Sequence, residues 1–139
     1  MSERTVTRRA DFTFPEVGAV FAGGIAGTLA RAAIAEFVPV ETGAWPWATL
    51  TANVVGCAIL GFVIAHLADA ESPGRRVALL GTGLCGALTT FSTFQLELYE
   101  LVDAGEAPLA LGYLIASLTT GLLAVRVARK ASEAARSLA

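Results

Sequence analysis

Apolar residues in this chain run in four long blocks separated by short polar stretches. The blocks extend roughly over Val17–Val38, Trp47–Ala68, Val77–Val102 and Pro108–Val127. Each reaches the about 20 residues that a helix needs to cross a hydrocarbon core of about 30 Å. Nothing alternates with period two over a useful length, so no strand competes with helix. Pro39 closes the first block, and Ser72-Pro73-Gly74 marks a turn between the second and third. Trp45 and Trp47 stand at the start of the second block, where tryptophans anchor a span at the membrane interface. The connections are short, as in a bundle of neighbouring helices. The pattern predicts an all-α membrane protein of four transmembrane helices in a single domain over residues 1–139, with polar tails at 1–14 and 128–139.

The third block is wrong for an ordinary span. Gly81, Gly83 and Gly86 each lower helix propensity by about 1 kcal/mol relative to alanine. Thr89, Thr90, Ser92 and Thr93 then supply four hydroxyls, with Phe91 and Phe94 among them. Irregular backbone at membrane depth is tolerated only where protein buries it or a polar cavity borders it. The stretch therefore predicts a helix broken near Gly83–Thr90, at a binding or permeation site. Close helix packing through small residues and hydroxyls is the competing reading.

Composition agrees with a membrane protein. Hydrophobic residues make up 55% of the chain and the mean hydropathy is +0.63. The net charge of -2 gives no basic surface for nucleic acid. The first apolar block is long and lacks an A-x-A cleavage site, so it reads as a retained span and not as a removed signal peptide. Cys57 and Cys85 lie in different blocks and form no CxxC or metal-spaced set. There is no nucleophile or metal set around the single histidine, His66, and no phosphate loop following a strand, so an enzyme is not expected.

Charge also sets an orientation. Arg4, Arg8 and Arg9 lie in the N-terminal tail, and Arg75 and Arg76 between the second and third blocks. Arg126, Arg129, Lys130 and Arg136 mark the end of the fourth and the C-terminal tail, while the other two connections carry no basic residue. By the positive-inside rule both termini face the cytoplasm of a cell-membrane protein.

Several polar residues within the blocks are candidates for chemistry. Gly23 and Gly27 form a GxxxG pair, mostly a packing signal, but Arg31 follows them about two helical turns from the end of the span. An arginine there either snorkels to the interface or attracts anions in an aqueous vestibule. Thr49 and Asn53 are four residues apart on one helical face; the amide of Asn53 can bond a neighbouring helix or bind an anion through its NH2 donors. Tyr113, Ser117 and Thr120 place hydroxyls along one stripe of the fourth block, as interhelical bonds or as donors beside a pore. Glu97 is a carboxylate within a span, a functional hypothesis by default, with Glu100 nearer the surface. His66 reads as an interfacial residue.

Three motifs together resemble the CrcB-type fluoride channels, also called Fluc. They are Gly-Gly-x-x-Gly-x-x-x-Arg at 23 to 31, Thr-x-x-x-Asn-x-x-Gly at 49 to 56, and Gly-x-x-Gly-x-x-Thr-Thr-Phe-Ser-Thr-Phe at 83 to 94. Ala48, where a glycine is common, and Gln95, where a smaller residue is expected, depart from the pattern. The resemblance implies a passive fluoride exporter working as a dimer of antiparallel subunits. It implies that Phe91 and Phe94 are pore phenylalanines, that Asn53 caps the fluoride path, and that Tyr113 and Ser117, with Thr49, belong to a polar track. Arg31 would sit in a vestibule, and the carbonyls of Gly86 and Thr89 would hold a structural Na+ at the dimer centre. Thr90, Ser92, Thr93 and Glu97 would line or brace the path. A chain that pairs with itself after dual insertion should carry little charge bias, so the strong bias here favours a heterodimer with an oppositely oriented homologue. A coupled fluoride/proton or other small-anion transporter with Glu97 as its proton site, and a non-conducting partner subunit, stand as alternatives.

Overall fold

The computed structural model describes residues 13–39, 41, 43–67 and 74–137. Arg4, Arg8 and Arg9 of the N-terminal tail, and Ser72 and Pro73 of the expected turn, lie outside the described residues. Among the described residues, four helical stretches are long and apolar enough to cross a membrane: Phe14–Phe37, Trp47–His66, Gly74–Asp103 and Ala107–Ser137. All described regular structure is helical.

Helix α1 (Phe14–Phe37) starts where local chemistry tells it to. Thr13 precedes it, Pro15 sits in its first turn, and the Glu16 carboxylate accepts the Thr13 N–H at 2.8 Å, closing a capping box. It ends just before Pro39, which disfavours helical backbone at Val38. Helix α2 (Trp47–Leu67) is followed by the third span, which is built from several pieces. A short helix α3 (Gly74–Val77) leads into eight residues of π-helix (Ala78–Cys85), then a turn of helix α4 (Gly86–Leu88), then α5 (Phe91–Asp103). The last helix, α6 (Ala107–Ser137), continues helical well past the apolar block into the expected C-terminal tail, where Arg129 pairs with Glu133. The α5–α6 turn is a Schellman closure. Gly105, at φ 82°, donates to Val102 O at 3.0 Å, and Glu106 donates to Leu101 O at 2.8 Å.

The GxxxG pair of α1 finds its partner inside the chain. α1 packs chiefly on the π-helical segment, and α2 on α6. A methyl added at Gly23 would run into Leu79 O and come within 2.8 Å of Leu84 N. One added at Gly27 would meet Leu84 O, and one at Gly83 would lie 2.6 Å from Val20 O. The two backbones are therefore in direct contact, which only glycines permit. A cluster of buried apolar side chains lies between α2, α5 and α6: Leu50, Phe94, Leu101, Ala110 and Tyr113.

Candidate functional site

The helix discontinuity falls at the C-terminal edge of the interval expected for it. Gly83 is π-helical and packed on α1, and Gly86 keeps helical angles (φ -63°, ψ -31°). The chain leaves the helix at Thr89 (φ -78°, ψ 153°) and Thr90 (φ -145°, ψ 123°). So the hydroxyl residues carry the break, and two of the glycines before it serve other ends: Gly83 close packing, Gly86 an open face.

Backbone groups freed at this depth need partners, and four side chains supply them. The amide of Asn53 clamps Thr90 on both sides: Oδ1 accepts the Thr90 N–H at 2.8 Å, and Nδ2 donates to Thr90 O at 3.2 Å. In an unbroken helix that N–H would bond Gly86 O, so the clamp takes away the helical donor of the Gly86 carbonyl. Arg31 Nε donates to Ala87 O at 3.1 Å, placing a cation at the carbonyl end of the first half-span. Thr89 Oγ1 donates to Cys85 O at 2.8 Å, beside the Thr89 N–H bond to the same oxygen at 3.0 Å. Thr90 Oγ1 caps α5 by accepting the Thr93 N–H at 3.2 Å, with the hydroxyls of Thr93 (3.0 Å) and Ser92 (3.3 Å) around it.

A second polar cluster lies a little further along α5. Glu97 accepts from Thr49 Oγ1 at 2.6 Å and from Tyr113 OH at 2.7 Å, one on each carboxylate oxygen. Thr49 and Asn53 thus share one face, as their spacing predicts, and both point at the third span. Tyr113 is fully buried, its ring 5.2 Å from Phe94. The Ser117 hydroxyl lies beside the Tyr113 phenol but makes no hydrogen bond among the described residues. Thr120, the last member of the expected stripe, bonds back to Ala116 O within its own helix at 2.6 Å and drops out of the cluster. His66 stacks on Phe62 at 4.1 Å, near the end of α2.

A groove of about 440 Å³ runs along this assembly. Its wall includes Asn53, Gly86, Thr89, Phe91, Phe94 and Ser117. Phe91 is 73% exposed and Phe94 only 6%, with ring centres 6.1 Å apart and tilted by 37°, so one ring projects from the subunit and the other belongs to its core. On the other side of Thr90 a small cavity of about 80 Å³ is bordered by Arg31, Thr49 and Thr93. Here a guanidinium and the N-terminus of α5 create a positive field. A third cavity of about 210 Å³, bordered by Glu41, Glu97 and Glu100, opens beyond the Glu97 cluster.

The structure therefore gathers Asn53, Thr89, Thr90, Phe91, Phe94 and Ser117 on one groove and sets Thr49, Glu97 and Tyr113 in one hydrogen-bonded cluster. It also shows what the sequence reading did not assign. Cys57 and Cys85 border the groove. Gly56 is small because a methyl there would collide with the Thr89 side chain. Trp45 and Trp47, alike in sequence, part company: Trp47 is 58% exposed, while Trp45 packs inward against the core.

Comparison with known proteins agrees with this architecture. The family model described as CrcB-like protein, Camphor Resistance (CrcB), matches residues 18–129. The fluoride-specific ion channel FluC 1 of Mycobacterium bovis (strain ATCC BAA-935 / AF2122/97) is 46% identical over 116 residues, covering 83% of this chain and 88% of its own. FluC 1 of Mycolicibacterium paratuberculosis (strain ATCC BAA-968 / K-10) is 43% identical over 122 residues, 87% and 92% of the two chains. The fluoride-specific ion channel FluC of Pseudomonas fluorescens (strain Pf0-1) is 44% identical over 115 residues, 79% and 90%. With a matched model over most of its length and these relatives, the chain is a multi-pass membrane protein that belongs to the CrcB family.

Proposed function

We propose that this protein is a fluoride-selective channel subunit that lowers cytoplasmic fluoride by passive export, not an enzyme. The observation that carries the reading is the groove itself: aromatic rings and polar side chains share one wall beside a break in a membrane helix. Fluoride is small and tightly hydrated, so a path must replace its water with donors. The positive edges of Phe91 and Phe94 can contact it. The Ser117 hydroxyl is not engaged by the protein, and Asn53 keeps a second Nδ2 proton beyond the one given to Thr90. The names of the relatives point the same way.

The working unit in this reading is a pair of antiparallel subunits. The projecting ring of Phe91 and the open face at Gly86 support a second subunit against this side. By the positive-inside rule, the basic residues of the two tails and of the Arg75-Arg76 connection support cytoplasmic termini and a heterodimer with an oppositely oriented homologue. The Gly86 carbonyl, deprived of its helical donor, is the kind of hard oxygen that Na+ takes. Gly86 and Thr89 would hold such an ion, whose charge would tie two breaks together across the dimer centre.

Fluoride efflux from liposomes, read by electrode with chloride as control, tests this. The expected result is fluoride release without chloride release, from this chain alone or after adding the opposite-facing homologue. Release of neither ion from either preparation would sink the proposal. The rival reading, proton-coupled transport through Glu97, requires flux to follow an imposed pH gradient. Flux that follows voltage alone dismisses it.

A further inference from the structure

Among the described residues, two buried polar side-chain atoms lack a hydrogen-bond partner: Ser117 Oγ and Trp45 Nε1. Both flank Tyr113. Ser117 lies one turn further along α6, its hydroxyl beside the phenol. The Trp45 ring stands edge-on to the Tyr113 ring, 5.8 Å away at 75°, and Cζ3 of its benzo edge lies 3.6 Å from where a side chain on Gly112 would begin. The ring is thus seated in the protein, unlike that of Trp47, whose centre lies only 5.7 Å away.

A buried donor left unpaired costs about 1–3 kcal/mol, and native proteins keep few of them without a reason. The indole N–H is a donor only, so what completes it must be an acceptor. Glu97 accepts from Tyr113 and from Thr49, and no described acceptor, Glu97 included, takes the indole N–H. Ala44 and Pro46, on either side of Trp45, border the cavity beyond Glu97. Trp45 therefore touches the Tyr113 ring, while its two chain neighbours reach that cavity at the N-terminal end of α2.

We propose that the Trp45 indole N–H is an anion-binding donor, placed to take fluoride as it passes Tyr113 toward that end of the molecule. The assignment rests on the channel reading. It adds to the path a residue whose chemistry is that of a single, fixed donor in a dry site, suited to a small anion and indifferent to pH.

Trp45→Phe keeps an aromatic ring in the seat and removes only the donor. In liposomes holding the full chain, with its homologue if needed, the variant should release fluoride about tenfold more slowly, at unchanged assembly size. A second measurement depends neither on flux nor on the folding of Trp45→Phe. In a Trp47→Phe background Trp45 is the sole tryptophan, and its fluorescence should change on titration with sodium fluoride and not with sodium chloride. Wild-type flux in Trp45→Phe, or fluorescence indifferent to fluoride, overturns the proposal. If the native protein carries no fluoride yet the indole responds to it, the binding site stands and the channel reading falls.

Discussion

Residues 74–88 and residues 91–103 belong to one membrane crossing, yet they are held in place by opposite means. The first half is a glycine-rich, largely π-helical rod pressed backbone to backbone on α1, through Gly23, Gly27 and Gly83. The second is an amphipathic helix that buries Phe94 and Leu101 against α2 and α6 and bonds to them by side chains, through Thr90, Glu97, Asn53, Thr49 and Tyr113. Steric contact of this kind tolerates no added atom. Hydrogen bonds between side chains tolerate substitution in proportion to what is left unpaired. The break separates the two regimes, and mutations on either side should fail differently.

The largest effect belongs to the packed half. Gly23→Val puts branched carbon into the Leu79 carbonyl and should cost roughly 3 kcal/mol or more, seen as loss of monodisperse protein in detergent. At the next residue Gly24→Ala meets nothing within 4 Å and should leave the subunit folded. Equal behaviour of the two would refute the interlock.

At the break itself, Asn53→Leu leaves the part-buried N–H and C=O of Thr90 without their side-chain partners, a loss of about 1–3 kcal/mol. Hydrogen exchange should show the Thr90 amide opening faster, and Asn53→Asp, which keeps the acceptor for that N–H, should protect it better than leucine does. An amide equally protected in all three proteins would mean that Asn53 does not hold the break.

The smallest effects are expected in the Glu97 cluster. Double-mutant cycles of Thr49→Val and of Tyr113→Phe with Glu97→Gln should give coupling of about 0.6 kcal/mol each, the usual size for hydrogen bonds between membrane helices. Zero coupling in thermal unfolding of either pair would remove that bond from the account.

How much of this was legible beforehand follows the same division. Four spans, their helicity and an interruption before Phe91 follow from apolar block length and from glycines and hydroxyls in one place. The spacing of Thr49 and Asn53 put them on one face. What spacing does not specify is a partner. Asn53 and Thr90 are 37 residues apart, and Arg31 and Ala87 are 56 apart, so only the packed chain reveals that the amide and the guanidinium serve backbone atoms. The glycines before the break drew attention as helix breakers, but a helix surrounded by other helices keeps its hydrogen bonds, and the interruption went to the residues that Asn53 could satisfy. Trp45 and Trp47 are chemically identical, and nothing local distinguishes the one that turns inward.

The clamp on Thr90 also bears on how the protein is made. Because α2 precedes the third span in the chain, Asn53 enters the bilayer ahead of the segment it will interrupt. A peptide of residues 74–103 inserted without α2 has no such amide beside it, and its most favourable course is to return the Thr90 N–H to Gly86 and become one continuous rod. The broken shape of the third span is in this sense inherited from its elder neighbour, a conformation that the segment displays but does not encode alone.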